Sequence, residues 1–124
     1  ERLMAINQDM VQLLETWKPT ALSIEKIFFS KNVKTAIDVA QVRGTLILAC
    51  LNYGMTVAEY TPNEVKLAVT GYGGADKSQI QKMVKSLLNL SDIPKPDDTA
   101  DALAIAICHI HSAKMLHYNH VCLH

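Results

Sequence analysis

Residues 20–29, 31–52 and 55–60 read TALSIEKIFF, KNVKTAIDVAQVRGTLILACLN and MTVAEY, and the order of these three segments decides the fold. The first is a short apolar run, best accommodated as a buried strand. The second sets Val33, Ile37, Ala40, Gly44, Ile47, Leu48 and Leu51 along a helical repeat, with Ser30 or Asn32 as its cap and Gly54 just past its end. The third is again a strand. A strand, a long helix and a second strand imply a crossover, and such crossovers join parallel strands. The expected class is therefore α/β. Two strands make a poor sheet, so the strand from Ala21 is expected to need a neighbour that these 124 residues do not supply.

The flanking segments are helical. Leu3, Ile6, Met10, Leu13, Leu14 and Trp17 recur at spacings of three and four until Pro19 stops the helix. Thr61-Pro62-Asn63-Glu64 combines a cap, a first-turn proline and the glutamate of a capping box, and that helix ends at Gly71. Tyr72-Gly73-Gly74-Ala75 forms a loop, residues 76–88 a helix, and Asp92-Ile93-Pro94-Lys95-Pro96 a stiff connection. The last helix is expected from Asp98 to about Leu116, leaving residues 117–124 as a tail beyond a single domain, 1–116.

Hydrophobic residues make up 49% and charged residues 19%, a balance that favours a folded chain over disorder. The longest apolar stretch, residues 45–51, falls far short of the roughly 20 residues that span a bilayer. No basic-then-apolar leader argues for secretion, and a reducing, cytoplasmic setting is the expectation. Cys50 and Cys108 lie in apolar helical runs and read as small core residues. Net charge is zero, which by itself suggests no nucleic-acid partner. Lysines do outnumber acids locally: Lys18, Lys26, Lys31 and Lys34 surround Glu25, and Lys66, Lys77, Lys82 and Lys85 accompany Glu64 and Asp76.

The chemistry-bearing residues are acids. Asp98 and Asp101, in Asp98-Thr99-Ala100-Asp101-Ala102-Leu103-Ala104, stack on one face of a helix's first turn. Glu25 stands at the carboxyl end of the short segment from Ala21. Carboxylates placed this way suit a hard divalent cation. Two of them also have a plainer reading: Asp98 as a first-turn acid favoured by the helix dipole, Glu25 as the partner of Lys26 or Lys31. Asp97 competes for the cap and is left outside the site. Lys77 follows a glycine pair at a helix start, an unhelpful place for a cation unless it meets a phosphate. Lys66 is helical and reads equally well as solvated. Phe28 and Phe29 alternate, so one joins the core while an exposed Phe28 is free to stack on a base. His109 and His111 point to different helix faces, and neither they nor His117, His120 and His124 read as metal ligands. Arg43-Gly44 reads as a packing point where another helix comes close.

Five segments, taken in order, resemble the RuvC family of Holliday-junction endonucleases: residues 23–32 (SIEKIFFSKN), 40–44 (AQVRG), 60–66 (YTPNEVK), 69–79 (VTGYGGADKSQ) and 98–106 (DTADALAIA). The resemblance implies an RNase H-like fold, a mixed sheet flanked by helices. It implies a homodimer that cuts two strands of a four-way DNA junction in recombination and repair, paired through the long helix 31–52 and working with a RuvA–RuvB branch-migration complex. It matches Glu25, Asp98 and Asp101 to metal ligands for two magnesium ions, Lys77 and Lys66 to lysines at the DNA near the cut, and Phe28 to an aromatic at the crossover. Lys77 is counted with the three acids as catalytic. The family pattern opens with three strands, the first bearing another aspartate, ahead of the helix matched by Glu1-Arg2-Leu3. The expectation is a piece of a longer protein, whose alternative reading is a non-catalytic junction-binding or dimerisation fragment. A different RNase H-like nuclease is a further alternative, against which the 71–79 loop and its spacing to Asp98 argue.

Overall fold

The computed structural model describes residues 1–26 and 32–122, the last nine of these as backbone only. The order of elements is α1 (Arg2–Trp17), β1 (Ala21–Glu25), α2 (Val33–Asn52), β2 (Thr56–Tyr60), α3 (Pro62–Thr70), α4 (Lys77–Leu87) and α5 (Asp97–Cys122). β1 and β2 pair as a two-stranded parallel sheet. The α/β class and the crossover read from the sequence are what the backbone shows. Among the described residues, no helix is long and apolar enough to cross a membrane.

The chain divides into two compact units, residues 1–59 and residue 60 onward. In the first, α1 packs on α2 and α2 on β1. Its core joins Leu14, Cys50 and Met55, with Met10 and Leu22 against them. Lys18 leaves α1 in the left-handed conformation (φ 48°), its amide donating to the Leu14 carbonyl at 2.8 Å, as the following Pro19 requires the helix to end. Asn32, one of the two expected caps, accepts the Thr35 amide at 3.2 Å. Arg43 on α2 reaches the Glu59 carboxylate on β2 at 2.6 Å, tying helix to sheet.

In the second unit, Val65 and Val69 of α3, Val84 of α4, and Ala104, Ile107 and Cys108 of α5 form the core. Thr61 accepts the Glu64 amide at 3.1 Å and Glu64 accepts the Thr61 amide at 3.2 Å, the capping box the sequence announces. A second box opens α4: Asp76 accepts the Gln79 amide at 2.8 Å and Gln79 the Asp76 amide at 2.9 Å. Burial pushes the Cys50 and Cys108 thiols up, as befits core residues.

Two boundaries differ from expectation by more than two residues. β1 ends at Glu25, and residues 27–31, including Phe28 and Lys31, lie outside the described residues. α5 runs on to Cys122 rather than stopping near Leu116. Extending a formed helix adds a hydrogen bond per residue without a nucleation cost, so residues 117–122 need no apolar pattern to continue it.

Val84 is fully buried at the centre of the second core. Val84→Ala removes two methylene equivalents and leaves a cavity, an expected loss of about 2 kcal/mol. A lowered urea midpoint with an unchanged slope is the readout.

Candidate active site

The site is built where the start of α4 meets the start of α5. Gly71 ends α3 at φ 75°, its amide donating to the Leu67 carbonyl at 2.9 Å. The Thr70 hydroxyl donates to the Lys66 carbonyl at 2.7 Å and accepts the Tyr72 amide at 3.1 Å, which shapes the turn. The Tyr72 phenol lies over Gly74, in the space a side chain at that position would occupy. Ala75 is buried and pins the loop to the core, so Asp76 caps α4 from a fixed point and Lys77 becomes its first residue.

α5 presents the acids. Ala100, Ala104, Ile107 and Cys108 face inward at helical spacing, and all are buried. That stripe turns Asp97, Asp98 and Asp101 outward, where all three are exposed. Lys77 Nζ lies 3.3 Å from Asp97 Oδ2 and 4.0 Å from Asp101 Oδ2. Asp97 Oδ1 is 3.4 Å from Gln81 Nε2. The Lys77 ammonium is held above its ordinary pKa by its hydrogen bond to Asp97 first, then by the charges of Asp97, Asp101 and Asp98. The exposed pairs contribute little stability. Their effect is on position: they relieve a cation of the repulsion expected at a helix N-terminus.

Three of the residues singled out in the sequence, Lys77, Asp98 and Asp101, therefore share one corner of the second unit. Lys66 stands half-buried in the middle of α3 and makes no ion pair among the described residues. Glu25 belongs to the first unit, exposed at the end of β1. Phe28 falls outside the described residues. Asp97, set aside in the sequence as a mere rival for the cap, makes the shorter contact to Lys77. The signal that could have found it was Lys77 itself, a first-turn cation in want of an acid.

Among the described residues, no three or more His, Cys, Asp or Glu side chains converge closely enough to cage a metal ion by themselves. A magnesium ion needs no such cage, because it keeps several waters and takes one or two carboxylates. Asp98 and Asp101 supply hard oxygen donors from one helix turn, and the ammonium already drawn to this corner shows that its field favours a cation. The residues present fit a hard divalent ion. Two of the five histidines are engaged elsewhere: His109 Nδ1 shares a hydrogen bond of 2.7 Å with the Tyr60 hydroxyl, and His111 Nδ1 donates to the Ala68 carbonyl at 3.0 Å. The side chains of His117 and His120, and all of His124, lie outside the described residues.

Comparison with known proteins follows the same line. The family model described as Crossover junction endodeoxyribonuclease RuvC matches residues 1–109. A protein of that name from Caldicellulosiruptor saccharolyticus is 52% identical over 117 residues, covering 94% of this chain and 70% of the relative. One from Halothermothrix orenii is 55% identical over 115 residues, covering 93% and 70%. The solved structure of Thermus thermophilus RuvC superposes with a TM-score of 0.84 at 34% identity, covering 92% of this chain and 69% of that one. Thermus thermophilus RuvC in complex with a Holliday junction substrate superposes with a TM-score of 0.83 at 31% identity, covering 92% and 68%.

Proposed function

This chain belongs to the RuvC family of crossover junction endodeoxyribonucleases, and we propose how its own residues divide the work of that activity. The protein is a structure-selective endonuclease that resolves four-way DNA junctions in recombination and repair. The observation that carries our assignment of residues is the corner where Lys77 Nζ lies against Asp97 and Asp101, one helical turn from Asp98.

Asp98 and Asp101 hold magnesium from α5, and Glu25 is a third ligand from the end of β1, serving two ions in all. Bound magnesium supplies charge at the phosphoryl oxygens and a hydrolytic nucleophile at neutral pH. The rest falls to side chains. Lys77, a point charge on a flexible stem, meets a nonbridging oxygen at the cut phosphate and stabilises the charge that develops there. Lys66 holds the strand by a neighbouring phosphate, a contact that positions without reading sequence. Phe28 stacks on a base opened at the crossover. Selectivity for a junction over a linear duplex then comes from shape and from how readily the branch point opens.

The working form is a homodimer joined through α2. Val33, Ile37, Leu48 and Leu51 are exposed along that helix, and among the described residues nothing beyond the local backbone and chain neighbours stands within 4 Å of where a Cβ on Gly44 would be. The protein acts in the cytoplasm and receives junctions from a RuvA–RuvB complex.

The test is cleavage of a labelled four-way junction against a linear duplex of the same sequence, with magnesium, by the intact protein. Junction strands are cut and the duplex is spared, and Lys77→Met slows junction cutting by about 10²-fold. Equal cutting of both substrates would overturn the selectivity, and an undiminished rate in Lys77→Met the role of that lysine.

A further inference from the structure

Asp101 has two claimants. It is proposed above as a metal ligand, yet the Lys77 ammonium stands 4.0 Å from its Oδ2. A lysine with no other anchor settles on the nearest carboxylate, and a divalent ion then has to displace it. Here another anchor is present: Asp97 is nearer, at 3.3 Å. Its second oxygen is engaged by Gln81 at 3.4 Å. Lys77 and Gln81 are four residues apart on α4, hence on one face of that helix. Asp97 thus links the first turn of α4 to the first residue of α5 through both of its oxygens.

We infer that Asp97 is a positioning residue, which holds the Lys77 ammonium aside so that Asp101 remains available to a divalent cation while the lysine stays within reach of the phosphate. The inference rests on the reading of Lys77 and Asp101 given under Proposed function. Asp97 itself touches neither substrate nor ion. Its influence on Lys77 is the largest of those that raise the ammonium's pKa, ahead of Asp101 and Asp98. The pair is exposed on both sides, 56% and 66%, so its contribution to folding is small and its effect lies in where the charge sits.

Removing the anchor has a distinctive consequence. In Asp97→Asn, Lys77 shifts to Asp101 and competes with the cation. Manganese or magnesium binding to the DNA-free protein, followed by calorimetry, weakens by about 5-fold, and single-turnover junction cleavage slows by about 10-fold. Asp97→Glu restores most of both. Lys77→Met removes the competitor, so its cation binding is as tight as the unaltered protein's or tighter. Adding Asp97→Asn to Lys77→Met then changes cation affinity by no more than about 2-fold, the residue of one distant screened charge.

Two results would overturn the inference. If Asp97→Asn leaves cation affinity and cleavage unchanged in the presence of Lys77, the ion pair is idle. If it lowers cation affinity equally with Lys77 and with Met at that position, Asp97 acts on the ion by its own charge. Failure of the underlying reading looks different: Lys77→Met would then cut junctions at full rate, while the cation-binding comparison still decides whether Asp97 restrains the lysine.

Discussion

Asp98→Asn in the intact protein is expected to leave junction affinity within about 3-fold of the unaltered protein while slowing magnesium-dependent cleavage by at least about 10³-fold. The substitution keeps size and hydrogen-bonding capacity and removes one negative charge. Asp98 is exposed in the first turn of α5, so no buried contact is lost. Loss of a first-turn acid costs the helix about 0.3–1 kcal/mol through the dipole, too little to unfold a domain. Binding rests on phosphate contacts and branch-point shape, whereas hydrolysis requires charge held at the reacting phosphoryl group. Gel-shift and single-turnover cleavage assays on one preparation separate the two. Cleavage within 10-fold of the unaltered rate would remove Asp98 from the site, leaving it as a helix-terminal acid.

Leu48→Glu has the second largest expected effect, on assembly. Leu48 is 59% exposed toward the C-terminal end of the α2 stripe, with Ile37 and Leu51 on the same side and Gly44 one turn away. Across the two-fold axis of the proposed α2-paired dimer every substitution counts twice, so two carboxylates would enter the same apolar seam. Each is either buried without a partner or keeps the seam open, and both outcomes cost several kcal/mol. The dimer dissociation constant is expected to rise by about 10³-fold or more, read by sedimentation equilibrium across a concentration series. Folding survives, because Leu48 lies outside the cluster of Leu14, Cys50 and Met55. A dimer of undiminished stability would place the interface elsewhere than α2.

The local grammar of the chain was the legible part. Thr61-Pro62-Asn63-Glu64 announced its capping box, Gly71 its helix stop, and the repeat from Val33 to Leu51 its long crossover helix. These features are written in neighbours along the chain, where spacing alone determines which side chains meet. Asp98 and Asp101 were legible for the same reason. Asp97 was not, because its partners Lys77 and Gln81 lie on another helix and come close only when α4 packs against α5. The second capping box, Asp76 with Gln79, has the same spacing as the first but lacks the proline that made the first conspicuous. The end of α5 escaped detection because residues 117–122 carry no apolar repeat in the sequence to mark a helix.

Ala100 sits between Asp98 and Asp101 in sequence and is wholly enclosed, with Ala104 in the same condition one turn on. Alanine at both places lets α5 settle close against its neighbours, and that closeness fixes the azimuth at which the two carboxylates emerge. A bulkier residue at position 100 would act as a shim, prising α5 outward and tilting both oxygens' lines of sight together. Drift in sequence is therefore cheap on the outer side of this helix and dear at these two methyl groups. A catalogue of tolerated variants should show the intolerance of position 100 as faulty cutting before it shows as unfolding.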